Sequence, residues 1–588
     1  MNMDNTFLTN LISDMSLEEK IGLTLTVISE GGTYLPANEG LIRDYNCGGL
    51  RVVPAVRYGQ QLFVDGEKRS KGNEANERIY YPSDQKNPVD ISLPHFAKTL
   101  QSYHQEALQC HGIPLRIAFD QEGGVSRDLT FGGAHIFPPP MGLAASGDPK
   151  IAYEAAKVIG RMGRAVGLNM IHSPVLDVNV EPDNPEIYTR AYSDISEVVA
   201  EYAVASARGF KEVGMIATGK HFPGRGDSTG DAHFEIPVLD ISWDTLWNRD
   251  LYPYRVLIEE NLLPVIMTAH SLYPAIDPDE IATLSEKVLQ GVLRDKMGYD
   301  GVITSDAIGM KGVTLKYDVP DACVKALQAG CDMLLMRMST EEPIGPVIPK
   351  TIEKIRQAVE SNELKSEELD AKVYRILRSY QEAGLFEADA AQSETINEVL
   401  EDPHCINVAE TASVRSVRVV RDIDGLLPLS PNQRALVIEQ RIPRQFCPNN
   451  EHWYSGLFYD CLCKFSNELS YIETGMQSTP EQEALIFDHL DAFDLVIITN
   501  WYYRDEIGSN AELVRKIIAA GKKVVVVGDT PYESFSLPRE ASTAVLQYGV
   551  TPISIRVVAE VLFGNAEAEA GWPLNYQLDT QMTEELAP

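Results

Sequence analysis

The stretch "GVITSDAIGM", Gly301 to Met310, is a short apolar run that ends in the carboxylate of Asp306. A run of this kind, bounded by glycine and a polar residue, is typical of a buried parallel strand. Between about residues 110 and 340 the pattern recurs in "LRIAFD", "LNMIHSPVLD", "MIATGKHFPG", "PVIMTAH" and "CDMLLM". These runs predict a series of strands, most of which deliver a polar group at the carboxyl end.

Amphipathic stretches with helix start and stop signals separate these strands. "GDPKIAYEAAKVIGRMGRAVG" offers Asp148 as an N-cap and Gly167 at the exit, and "LSEKVLQGVLRDKMG" offers Ser285 and Gly298 in the same roles. Regular alternation of strand and helix predicts an α/β fold with a parallel sheet.

Five of the strands end in an ionisable residue, and the spacings of 36 to 57 residues suit one βα unit each. These residues are Asp120, Asp177, His221, His270 and Asp306. In a closed (β/α)₈ TIM-type barrel the carboxyl ends of all strands converge on one face, so such residues would meet. A doubly wound open sheet binds ligands only at its switch point and does not account for so many ionisable strand ends. The sequence therefore predicts a barrel.

A second α/β region follows the barrel. Its strands are predicted in "RALVIEQ", "DLVIITNW", "KKVVVVGD" and "TAVLQYG", and no phosphate-binding glycine loop accompanies them. We predict a barrel domain over residues 1–386, a linker over 387–404 and a smaller doubly wound α/β sandwich domain over 405–588. The polar segment 58–90 is predicted to be a long loop near the barrel mouth.

The composition excludes several classes of partner. The chain has 85 acidic and 51 basic residues, and its net charge of −34 disfavours nucleic acid and anionic membranes. We find no basic leader with an apolar run and no stretch of about 18 apolar residues, so a cytoplasmic protein is predicted. The eight scattered cysteines favour reduced thiols. The oligomeric state is not specified by the sequence.

The residues that carry chemistry lie on one strand end and one loop. Asp306 could serve as a nucleophile, as an electrostatic stabiliser or simply as a helix N-cap. In "KHFPGRGDSTGDAH", Lys220 to His233, Asp231 can orient the imidazole of His233 for proton transfer, although a surface contact without a role is the simpler alternative. The glycines of this loop are expected to let it close over a substrate.

Further polar residues at the predicted barrel face suit a small polyhydroxylated ligand, because they offer charged hydrogen bonds. The candidates are Asp120, Arg190, Lys220 and His221. A metal centre built from strand-end residues is an alternative, with Asp120, His221, His270 and Asp306 as ligands. No HExxH or other close ligand pair supports it, so we predict a site without metal or cofactor.

Several ordered motifs now make the chain resemble glycoside hydrolase family 3, in particular its β-N-acetylglucosaminidase branch. They are "MSLEEKIG", "AFDQEGGVSR", "SPVLDVN", "TRAYSD", "KHFPGRGDSTGDAH", "MTAH" and "TSDAIGM". The resemblance implies retaining exo-hydrolysis of β-glycosides through a covalent glycosyl-enzyme, with a carbohydrate as the small-molecule partner. It implies that Asp306 is the nucleophile and that His233 with Asp231 is the acid/base. It also implies sugar-hydroxyl binding by the four candidates named above.

Three alternatives stay open beside this reading. They are a β-glucosidase or other β-glycosidase of the same family, a phosphorylase, and a non-catalytic sugar-binding scaffold. A phosphorylase is considered because a histidine acid/base does not repel inorganic phosphate. The sequence also departs from the branch at Arg225 and Ala232. The first departure adds a positive charge that is available to an acidic aglycone or to Asp227.

Overall fold

The computed structural model of the protein describes residues 5–32, 34–54, 92–124, 126–337, 347–387, 395–441, 454–502 and 508–578. Eight parallel strands close into a barrel in which each strand pairs with its neighbours along the chain. They are β1 (Leu25–Glu30), β2 (Gly49–Val53), β3 (Arg116–Phe119), β4 (Met170–Ile171), β5 (Ile216–Phe222), β6 (Val265–Thr268), β7 (Val302–Ala307) and β8 (Met333–Arg337). The predicted TIM-type barrel is confirmed.

One helix follows each strand, and their apolar faces share the main hydrophobic core with the barrel. In order, the helices are Pro36–Tyr45, Leu93–His111, Pro149–Val166, Ser196–Glu212, Tyr252–Glu259, Lys287–Lys296, Val319–Ala329 and Val347–Glu360. Asp148 caps the third helix by accepting the Lys150 N–H at 3.0 Å, and Gly167 ends it with φ 99°. The sixth helix is a π-helix flanked by Glu286 and Met297, one residue inside the predicted caps. Ser285 Oγ accepts the Val288 N–H at 3.3 Å, and Gly298 adopts φ 69°.

Shorter elements complete the barrel region. The remaining helices are Asn5–Asp14, Leu17–Leu23, Pro140–Ala145, Trp243–Thr245, Lys311–Thr314 and Ser366–Glu382, with a π-turn at Leu246–Asp250 and 3₁₀ turns at Tyr188–Arg190 and Ala282–Leu284. Two small hairpins pair Gln121–Gly123 with Ser126–Arg127 and Leu272–Tyr273 with Asp277–Ile281. Among the described residues, no helix has the length and apolar character needed to cross a membrane.

Apolar side chains plug the amino-terminal end of the barrel. Helices Asn5–Asp14 and Ser366–Glu382 pack together there. Leu8 and Ile376 from these helices join Val302, at the start of β7, in one buried cluster. Because this end is filled, the carboxyl end of the strands is the face that can receive a ligand.

A six-stranded sheet forms a separate domain beyond the barrel. Its strands are β9 (Arg418–Asp422), β10 (Ala435–Gln440), β11 (Leu469–Thr474), β12 (Leu495–Asn500), β13 (Lys523–Gly528) and β14 (Thr543–Leu546), in the spatial order β9-β14-β13-β12-β10-β11. Helices Leu457–Leu462 and Pro552–Leu562 share one apolar cluster with the sheet, and helices Pro480–His489 and Ala511–Ala519 share another. The predicted doubly wound domain is confirmed. The antiparallel edge strand β9, which pairs with β14, was not predicted.

The segment predicted to be a linker is partly helical. Helices Ile396–Glu401 and Pro403–Val414 pack against the barrel helix Pro149–Val166. In the second domain, a 3₁₀ turn at Leu490–Ala492 follows the helix Pro480–His489. Residues 388–394 and the predicted loop 58–90 lie outside the described residues. The domain boundaries at 386 and 405 stay a prediction.

The second domain contacts loops at the carboxyl end of the barrel. Asn179 Nδ2 donates to Tyr532 Oη at 2.8 Å, and the Tyr502 hydroxyl donates to the Pro185 carbonyl at 3.4 Å. The ring of Tyr502 also meets Tyr188 edge to face. The second domain therefore supports the loop that follows β4.

Candidate active site

Asp306 lies at the carboxyl end of β7 with 15% of its side chain exposed, and its Oδ1 accepts the Ala307 N–H at 2.7 Å. Burial opposes ionisation, but the positive charge of the Arg225 guanidinium holds the pKa of Asp306 below its ordinary value, and the His221 and His270 rings add to this effect only when they are protonated. Burial lowers the pKa of His221 itself to about 4, so that ring is neutral near pH 7. Arg225, whose Nη2 is 4.0 Å from Asp306 Oδ2, is the permanent cation. Asp306 is therefore an ionised and reachable carboxylate.

The loop that follows β5 presents an imidazole oriented by a carboxylate. Asp231 Oδ1 accepts the backbone N–H of His233 at 2.8 Å and lies 2.7 Å from its Nδ1. The His233 side chain is 37% exposed, whereas Asp231 is buried. The carboxylate assigns the Nδ1–H tautomer, which leaves Nε2 as the nitrogen that can exchange a proton with a ligand.

Glycines and tight packing set the path of this loop. Gly224 adopts φ 118°, a conformation that L side chains rarely take. At Gly226 a Cβ atom would lie 1.9 Å from the carbonyl oxygen of Val178. The peptide bonds that precede His221 and Pro223 are cis. Gly226 thus serves close packing against the chain beyond β4, whereas closure of the loop over a substrate stays a prediction.

Three of the predicted sugar-binding residues meet around a buried acid, Glu122. Lys220 Nζ is 2.5 Å from Glu122 Oε1 and 3.8 Å from Asp120 Oδ1. Arg190 donates from Nε and Nη2 to the two oxygens of Glu122, at 2.8 and 2.9 Å. Burial would raise the pKa of Glu122, but Arg190 and Lys220 lower it to about 2. The structure therefore groups Asp120, Arg190 and Lys220 into one charged cluster.

The fourth predicted sugar-binding residue, His221, faces a buried carboxylate. Its Nδ1 lies 2.7 Å from Asp177 Oδ2, and Asp177 Oδ1 accepts the Arg225 N–H at 2.9 Å. His270, a predicted strand-end residue, has its Nδ1 2.8 Å from Thr283 Oγ1 and its Nε2 3.1 Å from the carbonyl oxygen of Ala307. Burial lowers the pKa of His270, so it is a neutral support for the end of β7 near pH 7.

Sequence reasoning did not single out five residues whose side chains bind the predicted site residues. They are Arg51, Glu122, Asp128, His172 and Glu186. Arg51 donates to Asp120 and also to Asp128, at 2.9 Å for the latter pair. The only local signals were the position of Glu122 just beyond a strand in "AFDQEGG" and the i,i+4 spacing of Glu186 and Arg190. Neither signal identifies the distant residue that the acid binds.

Arg225 points inward rather than toward the barrel mouth. It is 3% exposed, its Nη2 donates to Glu186 Oε1 at 2.9 Å, and the same atom faces Asp306. Asp227 binds Arg249 Nη2 at 2.7 Å instead. The pairing of Arg225 with Asp227 is therefore wrong, because the loop buries Arg225 between two other acids. Arg225 Nε and Nη1 have no hydrogen-bond acceptor within the described part of the chain.

One group of side chains has the spacing of a metal site. Ligand atoms of Glu186, Asp231 and His233 lie within 4.8 Å of one another. The guanidinium of Arg225 already binds Glu186, and this positive charge disfavours a second cation. Asp120, His221, His270 and Asp306, the alternative metal ligands, do not form such a group within the described ranges.

Comparison with known proteins agrees with this architecture. Residues 94–379 match the family model for the glycosyl hydrolase family 3 N terminal domain. A β-hexosaminidase of Idiomarina loihiensis is 38% identical over 242 residues, which cover 40% of this chain and 71% of the relative. β-Hexosaminidase A of Pseudoalteromonas piscicida is 30% identical over 352 residues, which cover 57% of this chain and 58% of the relative. The chain thus spans less than two thirds of the Pseudoalteromonas protein.

The similarity to a solved structure extends over both domains. The glycoside hydrolase family 3 β-N-acetylglucosaminidase from Paenibacillus sp. str. FPU-7 superposes with a TM-score of 0.80 at 28% identity. The superposition covers 95% of this chain and 99% of the Paenibacillus protein. With the match to the family model and the β-hexosaminidase relatives, this similarity shows that the chain belongs to glycoside hydrolase family 3.

Proposed function

We propose that this protein is a retaining exo-β-N-acetylglucosaminidase that removes terminal β-linked N-acetylglucosamine. The observation that carries the proposal is that a strand end and a separate loop meet at one ion pair. Arg225 Nη2 is 4.0 Å from Asp306 Oδ2, and Glu186, its partner, is 3.4 Å from His233 Nδ1. An ionised carboxylate and an oriented imidazole are thereby available to one glycosidic bond.

The chemistry divides into two steps. Asp306 attacks the anomeric carbon while His233 Nε2 gives a proton to the leaving glycosidic oxygen, which yields a covalent glycosyl-enzyme. The neutral ring of His233 then takes a proton from water, which attacks the anomeric carbon and releases Asp306. Asp231 holds the ring tautomer through both steps.

The charged cluster around Glu122 supports recognition of a single sugar residue. Asp120, Arg190 and Lys220 carry ionised groups, whose hydrogen bonds to hydroxyls are stronger than neutral ones. Glu122 holds the two cations in place before the sugar arrives. The choice of an acetamido sugar rests on similarity to the Paenibacillus β-N-acetylglucosaminidase and on relatives named β-hexosaminidase.

The deciding experiment compares initial rates on 4-nitrophenyl N-acetyl-β-glucosaminide and on the matching β-glucoside, with the wild type and Asp306→Ala side by side. We expect faster cleavage of the acetamido sugar, and loss of nearly all of it in the variant. Preference for the glucoside would favour a β-glucosidase. Binding without cleavage of either substrate would favour a sugar-binding scaffold.

A second variant tests the acid/base. His233→Ala should lower turnover of glycosides with poor leaving groups on the order of 10²-fold to 10⁴-fold, because the departing oxygen then lacks its proton donor. Wild-type rates in both His233→Ala and Asp306→Ala would contradict the proposed mechanism.

Phosphorolysis is a second candidate, favoured by the charge of the site. The proposed acid/base is an imidazole rather than a carboxylate, and the permanent cation Arg225 lies beside Asp306. An incoming phosphate therefore meets less repulsion than it would between two carboxylates. Cleavage run in phosphate buffer should yield N-acetylglucosamine 1-phosphate if phosphate replaces water. Free sugar as the sole product would exclude this activity.

A further inference from the structure

A buried ion pair, Glu186 with Arg225, lies between the two proposed reacting groups. Both side chains are almost inaccessible to solvent. On one side Arg225 Nη2 is 4.0 Å from Asp306 Oδ2, and on the other Glu186 Oε1 is 3.4 Å from His233 Nδ1. The four groups form a row in which negative and positive charges alternate whenever His233 is protonated.

The backbone holds both members of this pair in a fixed relation. Asn184 Oδ1 accepts the N–H of Glu186 at 3.0 Å, and Asn184 Nδ2 donates to the carbonyl of Arg225 at 2.9 Å. Tyr502 of the second domain donates to the carbonyl of Pro185, the residue before Glu186. The Asn184 side chain thus links the loop that follows β4 to the loop that follows β5, and the hydrogen bond from Tyr502 in the second domain supports the first of these loops.

The charge of each member matters to its neighbour. Glu186 alone would add a second carboxylate beside a ring that already bonds Asp231, and would hinder release of the ring proton. Arg225 offsets much of that charge through its 2.9 Å bond to Glu186. The same guanidinium also stabilises the ionised form of Asp306.

Resting on the function proposed above, we infer that Glu186 and Arg225 are positioning residues that couple the charge of Asp306 to the protonation of His233. In the first step Asp306 forms a bond to the anomeric carbon, the glycosidic C–O bond breaks, and the leaving oxygen takes the proton of His233 Nε2. Asp306 is then a neutral ester, so Arg225 no longer shares its charge with Asp306 and offsets Glu186 more fully. This weakens the attraction of Glu186 for a protonated His233 ring. Water attacks next, its proton goes to His233, and Asp306 leaves as a carboxylate.

Glu186→Gln tests the first step. The substitution keeps the size of the side chain but leaves Arg225 as a cation facing His233, which disfavours the protonated ring that must act as the acid. We expect kcat/KM for the 4-methoxyphenyl glycoside to fall about tenfold or more, and that for the 3,4-dinitrophenyl glycoside, whose leaving group needs little protonation, to fall less than about threefold.

Arg225→Met tests the second step, and the expected effect is different. Without the guanidinium, Glu186 holds the ring proton and Asp306 is a poorer leaving group, so the glycosyl-enzyme should accumulate. On the 3,4-dinitrophenyl glycoside we expect a burst of dinitrophenol and a fall of about tenfold in both kcat and KM, with kcat/KM nearly unchanged. A merely structural role of the pair would not separate the two steps in this way.

Three further variants serve as controls. Glu186→Asp keeps the charge and should restore the leaving-group dependence toward the wild type. The double variant Glu186→Gln with Arg225→Met removes both charges of the pair at once and should lie closer to the wild type than the sum of the singles. Asp227→Asn breaks the Asp227–Arg249 bond on the same loop and should leave the leaving-group dependence unchanged.

The outcomes separate the inference from the function on which it rests. Equal losses on both glycosides in Glu186→Gln, or no change, would overturn the coupling while Asp306→Ala and His233→Ala still behave as proposed. A leaving-group dependence that does not change even in His233→Ala would mean that the proposed acid/base is wrong, and the inference would fall with it.

Discussion

Buried acids stand at the carboxyl ends of parallel strands in both domains, yet their charge differs. In the barrel, Arg190 and Lys220 surround Glu122 and lower its pKa to about 2. In the second domain, Glu439 at the end of β10 and Asp529 just beyond β13 have pKa values raised by burial to about 7. Backbone N–H groups and a hydroxyl are their partners, and no Arg or Lys binds them within the described part of the chain.

The difference shows that burial alone cannot make a reactive carboxylate. Removing a carboxylate from water raises its pKa, and a few N–H donors only partly offset that effect. A positive charge from another strand or loop reverses it, as Arg225 does beside Asp306. No Arg or Lys binds Glu439 or Asp529 among the described residues, so these two acids lack the cation that would keep them ionised.

The largest expected effect is on catalytic activity, when an acid of the barrel and an acid of the second domain are each replaced by a neutral residue. Asp306→Ala should remove nearly all cleavage of the N-acetyl-β-glucosaminide, because the proposed nucleophile is lost. Asp529→Asn, the matched change in the second domain, should leave the rate close to that of the wild type. A large loss of activity in a folded Asp529→Asn protein would break the comparison.

A smaller effect is expected on stability in the barrel. Glu122→Gln leaves Lys220 and Arg190 without their buried counter-charge, and breaking such a pair from one side costs roughly 3–5 kcal/mol of unfolding free energy. Urea unfolding followed by barrel peptides in hydrogen exchange would measure this loss. Glu360→Gln, which alters an exposed pair with Arg356, is the control and should change stability little.

The smallest effect concerns pH in the second domain. The carboxyl of Glu439 has its pKa raised from 4.5 to about 7, so the folded state binds more protons than the unfolded state between these pH values. Stability of this domain should therefore fall as pH rises from about 4.5 to 7. Glu439→Gln should raise stability by about 1–3 kcal/mol at pH 8 and change it little at pH 4.

Hydrogen exchange of peptides covering β10 and β12 reports the stability of this sheet at each pH. Asp488→Asn alters an exposed carboxylate of the same domain and should show no such dependence on pH. Stabilisation by Glu439→Gln that is equal at pH 4 and pH 8 would mean that the carboxyl does not titrate as inferred.

The fold was largely predictable because its signals are local. The capping role of Asp148 and the exit at Gly167 appear in the structure where the sequence predicts them. The antiparallel edge strand β9 was missed, since "VRVVRD" has no feature that sets its direction relative to β14. Whether β9 runs parallel or antiparallel depends on the strand with which it pairs in the folded sheet.

The site was predictable only in part. The sequence pointed to Asp306 and His233 because both stand in distinctive motifs, although their roles stay proposals. It missed Glu122 and Glu186 because their significance comes from contacts with residues elsewhere in the chain. Glu122 binds Arg190 across 68 residues, and Glu186 binds Arg225 across 39.

Most of the strands and helices, and the polar groups at the strand ends, could be predicted from the sequence, because periodicity, caps and turn residues act over a few positions. The tertiary structure decided which of those groups are ionised and what they face. Burial and opposing charge act through space, and only the closed barrel brings Arg225 between Glu186 and Asp306.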